Sequence, residues 1–272
     1  MIMKTRVLAG LAMLPLLLVI YFGGWILWVC CLAIGIMAIY EFYRGFKAMD
    51  IHPSLPIGIG GAALLYIINL AACGGHLGEP LDYHWFMVWF FACVIASLLY
   101  LFKIEERKLE DGIVTLTGLF YVVFFSFHIT MIDQLADYRT LVWLVFITAF
   151  GADIFAYFAG VTLGRHKLCP KISPKKSIEG SIGGMLGSVI LSLVFSLIFA
   201  KELMLHCVIM GILGGAISQF GDLTASIFKR KMGIKDYGNL IPGHGGIMDR
   251  FDSVLFTGPM VYYYIILVIM QV

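Results

Sequence analysis

Charge is what this chain has least of. Of its 272 residues only 13% are Asp, Glu, Lys or Arg, while 61% are hydrophobic and the mean hydropathy is +0.94. A soluble domain carries roughly twice that charged fraction, so a soluble globular fold is excluded. The net charge is only +2, which removes any charge-based case for nucleic-acid binding. The weak polar–apolar alternation of an outer-membrane barrel is absent. Six cysteines (Cys30, Cys31, Cys73, Cys93, Cys169 and Cys207) show neither zinc nor disulfide spacing, and five sit in or at apolar runs as small packing residues. No internal repeat points to the inverted halves of a transporter.

What is abundant is long apolar sequence. Runs of 17 or more apolar residues recur, so the expected fold is all-α, a polytopic integral membrane protein. About nine spans are expected, at roughly 7–21, 24–41, 55–73, 85–102, 113–132, 141–162, 182–200, 203–228 and 253–271. The first follows Lys4 and Arg6 like a signal peptide, but no small-residue cleavage site follows, and it reads as a retained span. With these spans, 17 Lys and Arg fall on one side of the membrane and only Arg139 and Lys201 on the other. The positive-inside rule then puts the N-terminus in the cytoplasm and the C-terminus on the far side of the cytoplasmic membrane. A division follows: residues 1–140 hold about five spans, and 141–272 form a catalytic region with cytoplasmic loops 163–181 and 229–252. The early loops, Glu41 to Asp50 and Lys103 to Asp111, read as ordinary solvated connections. Gly180 with Gly184, Gly183 with Gly187, and Gly211 with Gly215 repeat at the four-residue spacing of close helix packing.

The scarce charge is concentrated. Between Gly221 and Ser253 stand Asp222, Ser226, Lys229, Arg230, Lys235, Asp236, the Pro242-Gly243-His244-Gly245-Gly246 turn, Asp249, Arg250 and Asp252. Ionisable groups beside a membrane span are expensive without a partner or a function. Asp222 lies 19 residues past Leu203, about 28 Å along a helix rising ~1.5 Å per residue, at the membrane boundary. Ser226, Lys229 and Arg230 share its helix face at i+4, i+7 and i+8. That stripe suits either a surface salt bridge or a metal ligand beside phosphate ligands. The glycine turn brings backbone N–H groups close to an anion, although a Pro-Gly turn with an Asp N-cap explains part of it. Ser173-Pro174-Lys175-Lys176-Ser177 before a helix is a polyphosphate grip or simple flanking charge. Asp153 is a lone acid within the sixth span. Carboxylates for a hard cation such as Mg2+, with cations and N–H groups for phosphates, suit phosphoryl or nucleotidyl transfer between a soluble nucleotide and a lipid.

The run from Ser226 to Asp252 (Ser226-x-Phe228-Lys229-Arg230, Lys235-Asp236-x-Gly238, Ile241-Pro242-x-His244-Gly245-Gly246-Ile247-x-Asp249-Arg250-Phe251-Asp252) resembles, over 27 ungapped positions, the signature of phosphatidate cytidylyltransferases, also called CDP-diacylglycerol synthases. The Ser173 to Gly180 segment and Gly151-Ala152-Asp153 also resemble family motifs. One departure is Ala225, where many members carry Glu before the signature serine. The resemblance implies a reaction of CTP with phosphatidate that gives CDP-diacylglycerol and pyrophosphate. It also implies magnesium dependence, a second cation such as K+, and a homodimer in the lipid bilayer. On that reading Asp222 and Asp249 hold the metal, with Asp252 and Asp236 weaker candidates. Lys229, Arg230 and Arg250 neutralise phosphate charge; Ser226, His244, Gly245 and Gly246 hydrogen-bond phosphate oxygens. Ser173, Lys175, Lys176 and Ser177 grip CTP, Lys235 adds a substrate contact, and Asp153 positions the nucleotide or a cation. The rival readings are a CTP-dependent polyprenol or phytol kinase and a non-enzymatic membrane transporter. No Asp-Gly-x2-Ala-Arg run is present, which disfavours a CDP-alcohol phosphotransferase.

Overall fold

The computed structural model describes residues 14–73, 81–240 and 245–271. It is an all-α polytopic membrane protein, and eight helices among the described residues are long and apolar enough to cross a membrane. The helices are α1 (Leu14–Phe22), α2 (Gly24–Phe46), α3 (Leu55–Ala72), α4 (Tyr83–Tyr100), α5 (Leu109–Gln134, with a π-turn at Leu119–Phe124), α6 (Val142–Leu163), α7 (Ile178–Phe199), α8 (Met204–Met232) and α9 (Met248–Tyr264, ending in a π-turn). Residues 7–13 of the expected first span lie outside the described residues. The α1–α2 break falls at Gly23 and Gly24, whose φ values of 55° and 53° suit glycine.

The chain divides into two compact units: residues 1–136 with 231–250, and residues 137–230 with 251–272. In the first, several polar groups inside the helical packing find partners in place of water. Asn69 on α3 and Gln134 on α5 exchange hydrogen bonds of 3.2 and 3.0 Å, and Trp28 on α2 donates to Asn69 Oδ1 at 3.0 Å. Trp89 on α4 donates to Gly61 O on α3 at 2.7 Å, and Tyr43 on α2 to Thr115 O on α5 at 2.5 Å. Ser54 caps α3 by accepting from Ile57 N at 3.4 Å.

Two early connections differ from the expectation. Glu41 is not in a solvated loop: α2 continues to Phe46 and the Glu41 side chain is buried. Asp111 is also buried, with Oδ2 accepting from Lys108 N at 3.0 Å and Oδ1 from His52 N at 2.6 Å. Each acid is covered because backbone donors replace its water.

In the second unit α6 and α7 lie close together. The missing side chains of α7 make the approach possible: a first side-chain carbon at Gly180 would sit 2.8 Å from Ala156 O, and one at Gly184 would sit 2.7 Å from Ala152 O. Gly211 and Gly215 of α8 meet α7 in the same way, at Val189 Cα and Met185 Cα (3.0 and 3.1 Å). The connection 163–181 is more ordered than a loop. It folds as a β-hairpin of β1 (Lys167–Cys169) and β2 (Ser173–Ser177), pairing Lys167 with Ser177 and Cys169 with Ser173. Glu179 fastens its base, accepting from Arg165 N at 3.0 Å and facing His166 Nδ1 at 2.6 Å.

Gly184→Leu tests the α6–α7 contact, since neither the Ala152 carbonyl nor the helix carrying it can yield cheaply. The expected loss is ~1–3 kcal/mol or more, read as a lower melting temperature of the purified protein in detergent. An unchanged melting temperature refutes the close contact.

Candidate active site

The second unit assembles part of the sequence-derived set. Ser177 ends β2 and caps α7, its Oγ accepting from Gly180 N at 3.1 Å. The hairpin therefore returns its lysines beside α6 and α7. A cavity of about 430 Å³ opens there, lined by Asp153, Lys167, Lys175, Lys176, Ser177 and Gln219 among others. Gln219 is held by Ser181, through a close Oγ–Oε1 contact and an Nε2 donation to Ser181 O at 3.0 Å. Asp153, Lys175, Lys176 and Ser177 thus share one cavity, although 20 or more positions separate Asp153 from the rest. Ser173, on β2, does not line it.

Asp222 stands on α8 and forms a close ion pair with Lys176, both side chains about one-quarter exposed (25% and 27%). Gly221 explains why α9 comes near at this level: a side-chain carbon there would lie 2.7 Å from Asp252 O. Asp252, on α9 and only 6% exposed, is within electrostatic reach of Asp222, Asp153 and Lys229. Its Oδ1 accepts from Ser253 N at 2.8 Å. Arg230 donates from Nε to Ile172 O at the hairpin turn, 3.2 Å away. Ala225, where many signature members carry Glu, is fully buried; Ser226, one residue on, is half-buried.

The first unit holds the rest of the signature. Lys235 and Asp236 are exposed. Pro242, Gly243 and the candidate His244 lie outside the described residues. Gly245 has φ +85°, and a side-chain carbon there would be 2.7 Å from Asp249 Oδ2. That oxygen accepts two backbone N–H groups, from Tyr237 at 2.8 Å and Gly246 at 3.0 Å. Asp249 thereby draws two stretches of the loop together at the start of α9. Arg250 Nε is buried and has no hydrogen-bond acceptor among the described residues, a donor that fits a phosphate oxygen.

Glu41 is the residue that the sequence did not single out. It accepts from Met248 N at 2.9 Å, at the first turn of α9. Its carboxylate fills the space that side chains at Gly238 and Gly246 would need, with oxygens 2.4 and 2.2 Å from those added carbons. Tyr237 packs on Phe42, the next residue of α2, at 6.2 Å. Glu41 is thus an anchor for the signature loop. A carboxylate near the end of an apolar run was the available signal, but solvated flanking acids look the same.

A hard cation fits this chemistry. The donors are carboxylates, and Asp249 carries the supporting hydrogen bonds usual for ligating groups. Among the described residues no three acid, imidazole or thiol groups could enclose an ion unaided.

These features define a multi-pass membrane protein with a lysine- and carboxylate-lined cavity suited to an anionic ligand. The chain belongs to the cytidylyltransferase family, whose sequence profile matches residues 4–268. It is 31% identical over 273 residues to a phosphatidate cytidylyltransferase of Bacillus subtilis, an alignment covering 96% of this chain and 97% of that protein. Shorter alignments link it to the phosphatidate cytidylyltransferases of Synechocystis (45% over 126 residues) and Pseudomonas aeruginosa (44% over 124 residues). These two cover 46% and 44% of this chain, and 43% and 45% of the relatives.

Glu41→Ala strands the Met248 N–H and empties the gap at Gly238 and Gly246. The expected cost is ~1–3 kcal/mol, the desolvation penalty of an orphaned donor, together with faster trypsin cleavage after Lys235 in the native protein. Glu41→Gln keeps an acceptor and recovers most of the protection. Equal cleavage of all three proteins contradicts the anchoring role.

Proposed function

We propose that this chain transfers the cytidylyl group of CTP to phosphatidate, giving CDP-diacylglycerol and pyrophosphate for phospholipid synthesis. The observation that carries this is its membership of the cytidylyltransferase family along nearly its whole length, with a phosphatidate cytidylyltransferase aligned from end to end. The cavity lined by Lys175, Lys176, Ser177 and Asp153 supports it, because its lysines and the first turn of α7 offer donors to a triphosphate.

Phosphatidate brings its own nucleophile, a phosphate oxygen ionised near neutral pH, so no protein base is required. The task left to the protein is to offset the repulsion of two anions and hold them in line. In this proposal Lys175, Lys176 and Ser177 bind CTP, with Ser173 supporting the hairpin. Lys229, Arg230 and Arg250 balance charge on the transferring phosphate or the leaving pyrophosphate, and Ser226 with the Gly245 and Gly246 N–H groups adds hydrogen bonds. Lys235 and His244 complete the substrate contacts, and Asp153 orients the nucleotide or a cation.

Magnesium is the proposed cofactor, with Asp222 and Asp249 as its carboxylate ligands, and a second cation such as K+ is proposed nearby. Bound magnesium would supply charge neutralisation of the CTP phosphates. The catalytic loops are proposed to face the cytoplasm from the cell membrane, where CTP arrives from water while the diacyl tails remain in lipid. A homodimer is the proposed assembly.

The direct test is purified protein in detergent with CTP labelled at the α-phosphate, phosphatidate and magnesium, beside a chelator control. Label entering the lipid fraction with magnesium-dependent release of pyrophosphate is expected. An unlabelled lipid phosphate with CDP released points instead to a lipid kinase, and folded protein without turnover removes the enzymatic reading.

Asp222→Asn and Asp249→Asn should each insert into the membrane normally and retain less than about 1% of wild-type turnover, the scale of losing one charge-stabilising group. Full activity in either variant refutes its metal assignment.

A further inference from the structure

A second charged cavity lies in the first unit. Its volume is about 360 Å³, and it is walled by the end of α2, the turn that follows, the first turn of α3, the end of α4 and the segment before α5. Its lining includes Arg44, Lys47, His52 and Arg107, with the rings of Tyr40 and Tyr100, and no acidic residue. The first turn of α3 adds the positive end of an 18-residue helix.

Arg107 is held ready in this cavity. Its guanidinium lies 4.5 Å over the Tyr100 ring, a cation–π contact. Tyr100 is fixed in turn, its hydroxyl donating to His52 O at 3.0 Å. The Arg107 Nε atom is buried and has no hydrogen-bond acceptor among the described residues.

Several nearby acids already have partners. Asp50 pairs with Lys108 at 2.5 Å and meets His52 Nε2 at 3.3 Å. Asp111 accepts the backbone N–H groups of His52 and Lys108. Glu106 lies 3.7 Å from Lys103. Glu41 exerts a charge interaction on Arg44 from one turn away, while its carboxylate accepts the Met248 N–H. Lys47 and Arg107 are therefore the cations most available to the cavity.

We propose that this cavity binds the phosphate group of an anionic phospholipid. The ligand chemistry is a phosphate oxygen accepting from the Arg107 guanidinium, with Lys47 as a further donor. The lipid is favoured over a soluble phosphate by position. The cavity sits at the ends of three helices long and apolar enough to cross a membrane (α2, α3 and α4), the level at which headgroups lie, and its tyrosines are the residue type of that interface. Basic pockets between spans are recurrent headgroup sites. Nothing in the cytidylyl-transfer reading requires this site, so its test reads binding rather than turnover.

The test is native mass spectrometry of the full chain in detergent, titrated with phosphatidylglycerol, with phosphatidylcholine of the same acyl chains, and with inorganic phosphate. Phosphatidylglycerol should be retained in preference to phosphatidylcholine. Lys47→Gln with Arg107→Gln should weaken that retention about thirtyfold, and the exposed Lys47→Gln alone about fivefold, at the usual worth of each cation near a charged surface. Lys103→Gln, outside the cavity, should leave it unchanged. Wild-type retention in the single and double variants, or equal retention of both lipids, overturns the proposal. Binding of inorganic phosphate without phosphatidylglycerol also overturns it, assigning a soluble source.

Discussion

A carboxylate taken out of water costs several kcal/mol, so it persists inside a membrane protein only where N–H donors or cations replace its hydration. Each unit of this chain is organised by that constraint. In the first, Glu41 reaches from α2 to the Met248 N–H, 207 positions along the chain, and occupies the gap that two glycines leave. Asp249 binds the same loop from the other side by accepting from Tyr237 and Gly246. These two acids hold Tyr237, Gly246 and Met248 through their backbone N–H groups. In the second unit the acids meet cations instead: Lys176 on Asp222, and Lys229 within reach of Asp252.

Close backbone approach then decides which polar groups can meet. The hairpin needs α6 and α7 near each other at its base, and Gly180 and Gly184 provide that because the carbonyls opposite them leave no room for a side chain. Ser177 closes the arrangement as both the last residue of β2 and the cap of α7. Gly221 does the equivalent for α8 and α9, which brings Asp222 and Asp252 into one electrostatic neighbourhood. Small residues thus do more than pack helices: they set the separation between charges carried by those helices.

The eight spans from α2 onward were legible because long apolar runs have few alternatives, and their ends moved by only a few residues where caps or charged turns extended them. Asp153, Lys175, Lys176 and Ser177 could be chosen by residue type, and the structure places them in one cavity. The hairpin was not legible. Ser173-Pro174-Lys175-Lys176-Ser177 has neither the alternation nor the β-branched content of a strand, and its pairing depends on the neighbouring helices and on Glu179. Glu41 and Arg107 were missed for a related reason. Each reads as flanking charge, and only the chain folded around it distinguishes a buried anchor or a stacked guanidinium from a solvated side chain.

The charge arithmetic around Asp252 gives the proposed reaction its physical shape. Asp252 interacts with Asp222 and Asp153 and with Lys229, and Lys176 pairs with Asp222. Lys167 and Lys175 line the same cavity as Asp153 and Lys176. Lys176, moreover, cannot give its full charge to a nucleotide while it is paired with Asp222. Release of that pairing would make Lys176 a stronger donor to a nucleotide. In the proposed reaction a hard divalent cation held by Asp222 would offset this negative charge and free Lys176 for the nucleotide. The proposed cation would therefore give these acids a role in admitting an anionic substrate.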